Sequence, residues 1–79
     1  MPRYFFHVHD GTNMRDEEGV ELPDLEAARS QGILACGEML KDLDGDLPRD
    51  LVWEMNVEDE TGETVLTFRF TAIEHRPPD

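Results

Sequence analysis

The chain has 79 residues, 19 of them acidic and 7 basic, which leaves a net charge of −12 beside a single cysteine. That length holds one small domain. The composition excludes a disulfide scaffold, a collagen and a membrane-spanning helix. One Lys and six Arg also give little basis for direct nucleic-acid binding through phosphates.

Residues Arg3 to His9 alternate, with Tyr4, Phe6 and Val8 on one face and Phe5, His7 and His9 on the other. Aromatic and β-branched residues at period two predict a strand. Asp10-Gly11-Thr12-Asn13 reads as a turn, because Gly and Asn tolerate positive φ. A short return strand is expected near Met14 to Asp16 or Val20 to Leu22.

The helix is predicted to start at Asp24, an N-cap after Pro23, and to end near Leu43 or Asp44 with Gly45 as its C′ residue. At 100° per residue Leu25, Ala28, Gly32, Cys36, Met39, Leu40 and Leu43 form one stripe, with Ile33 and Ala35 at its edges. Gly32 lies in that stripe, where a missing side chain lets the helix approach aromatic rings. Gly37 points outward without an evident reason. Arg29 lies inward of a fully solvated position and is expected to pair with Glu21 or Asp16.

A polar link over residues 42–50 precedes a second strand, Leu51 to Glu58, with Trp53, Met55 and Val57 on one side. Asp59-Glu60-Thr61-Gly62 turns the chain, and Thr64 to Thr71 returns with Leu66, Phe68 and Phe70 together. Pairing Glu58 with Glu63 sets Met55 opposite Leu66 and Trp53 opposite Phe68, so the apolar residues meet. The elements predict an α+β domain over residues 1–73. A small antiparallel sheet of three or four strands, in the order β-(β)-α-β-β, carries one helix on one face. The tail 74–79, with Pro77 and Pro78, is expected to be disordered.

The opening Met1-Pro2-Arg3-Tyr4-Phe5-Phe6-His7-Val8, the Asp10-Gly11 turn and the segment Asp16 to Arg29 resemble a family of short bacterial proteins of unknown function. The hairpin with Trp53, Val57, Asp59, Glu60 and Gly62, followed by Val65 and Phe68, carries the same resemblance. It implies no activity, cofactor or catalytic residue. A looser likeness, in arrangement and composition, is to the small antitoxin partner of HicA-type toxins, and it stands as analogy.

His7 and His9 share a strand face and are expected to be a solvated or dimer-facing pair; no metal site is assigned, and the alternative has them as metal ligands with Asp10 or Asp16. Asp42, Asp44, Asp46 and Asp50 crowd the negative end of the helix, but their spacing does not match a calcium loop. Cys36 falls in the apolar stripe and is expected in the core, not as a nucleophile. No catalytic residue and no cofactor are assigned.

The face bearing Phe5, His7, Glu54 and Arg69 is expected to lie open and to make partner contacts, with Phe5 as anchor. The leading expectation is a non-enzymatic protein-interaction module, cytoplasmic because no signal-peptide pattern opens the chain. It would form a homodimer and attract a basic protein partner, without nucleic acid or membrane. The alternatives are an antitoxin-like regulator that occludes a basic nuclease, and a metal or small-ligand binder using His7 and His9.

Overall fold

A computed structural model of the chain describes residues 1–43, 52–73 and 75. Its elements are β1 (Arg3–His9), β2 (Asn13–Met14), β3 (Val20–Glu21), α1 (Leu25–Asp42), β4 (Val52–Glu58) and β5 (Thr64–Thr71). The fold is α+β, as the alternation and the helical stripe predict. The single return strand expected after β1 is two short strands, and both pair antiparallel with the same edge of β1. The sheet order is β2-β1-β4-β5, with β3 beside β1. The tail residues Glu74 and 76–79 lie outside the described residues, as do Asp44, Asp46, Gly45 and Asp50 of the acidic link. Among the described residues no helix is long and apolar enough to cross a membrane.

β1 pairs with β4 so that Phe6 faces Val57 and Val8 faces Met55. Tyr4, Val8, Trp53, Met55 and Val57, with Ala28 from the helix, form the buried core. The helix begins where its N-cap dictates: Asp24 accepts a hydrogen bond from the Ala27 amide at 2.8 Å. Leu43 is its C-cap.

The stripe is narrower than its periodicity suggests. Ala28 and Gly32 are buried and Ala35, Cys36 and Leu40 pack at the core's margin, but Leu25, Ile33 and Met39 are exposed. The small residues let the helix sit close on the sheet, so contact is confined to a line beneath them. At Gly32 a Cβ would run into the Phe68 ring, 2.8 Å from its Cζ, which is the close approach that position implied.

The hairpin register differs from the expectation by two residues. Trp53 faces Phe70, Met55 faces Phe68 and Val57 faces Leu66. The loop has three residues: the Asp59 amide donates to the Glu63 carbonyl at 2.9 Å, and Gly62 closes the turn at φ +86°. Such a loop by itself would put Met55 opposite Thr67, on the wrong face. A bulge beside Val57 and Glu58 adds one residue to β5 and restores the match of apolar sides. It also turns Val65 toward the core, beside Leu66.

Candidate functional site

β2 and β3 leave a gap along one edge of β1, between Tyr4 and Val8. A strand edge in that position needs acceptors for its amides. Asp16 supplies one: its Oδ2 accepts from the Phe6 amide at 3.1 Å. Its Oδ1 accepts from the amides of Glu18 and Gly19 at 3.1 and 3.0 Å, folding residues 16–19 into a tight Asx-type turn. Burial works against the charged carboxylate, but the Gly19, Phe6 and Glu18 amides together hold the Asp16 carboxyl below its ordinary range.

This turn lies across the sheet face that was expected to be open. His7 is 4% exposed. Its Nδ1 accepts from the Asp16 amide at 3.0 Å, so in the neutral ring the proton sits on Nε2. That Nε2 lies 3.1 Å from Glu58 Oε1 but off the line of an aligned hydrogen bond. The expectation of a solvated or open His7 is therefore corrected: residues 16–19 roof it over. Phe5 is half-buried beneath the same roof, and a Cβ at Gly19 (φ +74°) would stand 2.8 Å from the Phe5 ring.

The other candidates sit elsewhere. His9 Nδ1 meets Asn13 Oδ1. Among the described residues no group of three His, Cys, Asp or Glu side chains is placed to hold a metal ion. Glu54 and Arg69 face each other across β4 and β5, with Nη2 and Nε of Arg69 at 2.8 and 2.9 Å from Glu54 Oε2. Arg69 and then Asn56, by hydrogen bonds, hold the Glu54 carboxyl below its ordinary range. Cys36 is half-buried with its Sγ 3.8 Å from Met55 Sδ, and burial pushes its thiol up, away from nucleophilic use.

Arg29 is exposed. The partners expected for it are otherwise engaged: Glu21 pairs with Arg3 at 3.0 Å, and Asp16 is bound to backbone amides. Arg3 also donates from its amide to Glu60 and from Nη1 to the Glu18 carbonyl, tying the 16–19 turn to the β4–β5 turn.

Between those two turns lies a cleft of about 350 Å³, lined by Phe5, His7, Arg15, Asp16, Glu17, Glu58, Asp59, Glu60 and Gly62. Asp59 is committed to its own loop, where the Thr61 hydroxyl and the Thr61 and Glu63 amides keep its carboxyl below the ordinary range. Glu17, Glu58 and Glu60 also line the cleft, with Glu58 Oε1 beside His7 and Glu60 Oε1 accepting from the Arg3 amide. Sequence reasoning placed Phe5 and His7 correctly on one face but missed Asp16 as the residue that builds the site. The signal was the Asp16-x-x-Gly19 spacing, which fits an Asx turn closed by a positive-φ glycine.

Searches of the curated proteins and of the solved structures found no match. Residues 3–71 match the domain of unknown function DUF6894, and the chain belongs to that family.

Proposed function

We propose that this chain is a non-enzymatic protein-interaction module that receives a basic segment of a partner protein in the cleft above Phe5. The observation that carries the reading is the lining of that cleft. Glu17, Glu58 and Glu60 line it together with Phe5, and Arg15 and His7 are the basic residues among the lining side chains. An arginine or lysine side chain of the partner would stack on the Phe5 ring and pair with the carboxylates. The net charge of −12 would steer a basic partner toward it over a distance set by ionic strength.

Phe5 keeps the anchoring role expected of it. The charged contacts move from Glu54 and Arg69 to Glu17, Glu58 and Glu60, because the first two satisfy each other and do not line the cleft. His7 supports the floor from beneath. A cytoplasmic location goes with this reading, since the lone Cys36 carries a free thiol. Occlusion of a basic nuclease, in the manner of an antitoxin, is the special case in which the captured partner is an RNA-cutting enzyme.

The test is affinity capture from native cells with the full chain and with a Glu17→Gln, Glu58→Gln, Glu60→Gln variant. The expected result is a basic protein retained at low salt, shed at high salt, and recovered at least about tenfold less by the variant. Equal recovery by both chains, or no basic protein in either, contradicts the reading.

A further inference from the structure

β5 is the terminal strand of the sheet, and among the described residues its outer edge has no strand beside it. Edges of this length are usually blunted by proline, by clustered charge or by a covering element. Thr64–Thr71 has no proline and no acid, and its one charge, Arg69, is bound to Glu54. In a chain with 19 acids, an eight-residue strand without one is a surface on which two copies meet without like-charge repulsion.

On the helix side the edge continues into an apolar groove of about 490 Å³ between α1 and β5, whose walls include Ile33, Cys36, Leu40, Trp53, Phe68 and Phe70. Ile33 is 47% exposed and Phe70 41% exposed, large apolar side chains with one flank bare. Gly37 also borders the groove, and a Cβ there would meet nothing within 4 Å.

We infer that β5 pairs antiparallel with β5 of a second copy of this chain, joining two sheets into one and closing the groove with the partner's apolar side chains. Pairing about Phe68 sets Leu66 against Phe70 on the helix side and Thr67 against Arg69 on the other. Sliding the register by two in one direction would set Arg69 against its own counterpart. Sliding it by two the other way would put Phe70 opposite the bulged end at Thr64. Phe68 on the twofold axis is the register that avoids both.

A paired ribbon alone falls short of the roughly 1,200 Å² of total buried surface that a stable interface needs. The groove supplies apolar surface beyond the ribbon, directly beside it. The inference does not depend on the acidic cleft, none of whose lining residues lies in β5. A dimer of this form presents two such clefts.

Sedimentation of the full chain and amide hydrogen exchange along β5 test the inference together. The expected result is a dimer in which β5 amides pointing away from β4 are protected and lose protection on dilution. An Ile33→Glu, Phe70→Glu variant should weaken dimerisation at least about tenfold while keeping the wild-type circular dichroism. A monomer at high concentration overturns the inference. So does a dimer whose outward β5 amides exchange freely, which places the interface elsewhere. A monomer with those amides protected also overturns it, because the chain's own tail then covers the edge. If the variant fails to fold, the wild-type exchange pattern still decides between these outcomes.

Discussion

Asp16 does at one position what a strand would do along a whole edge. Its two oxygens take the Phe6, Glu18 and Gly19 amides, and its own amide fixes the ring of His7. A carboxyl held below its unfolded value binds fewer protons in the folded state. It therefore stabilises the fold above about pH 4, and the contribution is lost as pH falls through the folded value. Asp16→Asn should cost about 1–2 kcal/mol at pH 7, and urea midpoints from pH 6 to pH 2 should fall less steeply for the variant than for the wild type. The two helix glycines make a second residue-scale test. Gly32→Ala forces a methyl into the Phe68 ring and should destabilise by about 1–3 kcal/mol in spite of alanine's higher helix propensity. Gly37→Ala meets open space and should stabilise by up to about 1 kcal/mol. Thermal unfolding of the pair should show opposite signs.

The elements show how local chemistry and tertiary register divide the work. The helix start was legible because an N-cap is a local device: Asp24, with its side chain three residues from the amide it caps, needs no tertiary partner. The side-chain parity of β1, β4 and β5 was legible for the same reason, since period two is written along each strand. The pairing of β4 with β5 was not, because a bulge changes the count, and its one trace in the alternation is the adjacent apolar pair Val65 and Leu66. The roof over His7 was also hidden. The sequence pattern marked Asp16 only as a candidate ligand beside His7 or a partner for Arg29, and its actual role depends on a gap between β2 and β3 that exists only after the strands are paired. The three-residue turn yields a direct check. Gly62 sits at φ +86° with open space around it, so Gly62→Val should cost about 1–2 kcal/mol through backbone strain alone. An equal loss for Gly62→Asn, which tolerates that conformation, would show that the strain argument is wrong.

At the scale of the whole molecule, the acid-lined cleft and the acid-free strand β5 are separate surfaces. Acids gather around the cleft between the 16–19 and 59–63 turns, while β5 and the exposed flank of α1 at Ile33 and Leu34 carry none. A chain at −12 repels itself, so moderate salt should raise the unfolding midpoint of the isolated protein as the Debye length shrinks, while weakening capture of a basic partner. The two effects have opposite signs and separate folding from recognition in one salt series. The central claim, that the acid-lined cleft above Phe5 receives basic side chains, is tested most directly by amide chemical-shift mapping during titration with an oligo-arginine peptide. The account predicts shifts concentrated at Phe5, Arg15 to Gly19 and Glu58 to Gly62, lost in high salt. Shifts spread over the helix acids Glu26, Glu38 and Asp42, or an absence of shifts at low salt, would contradict it.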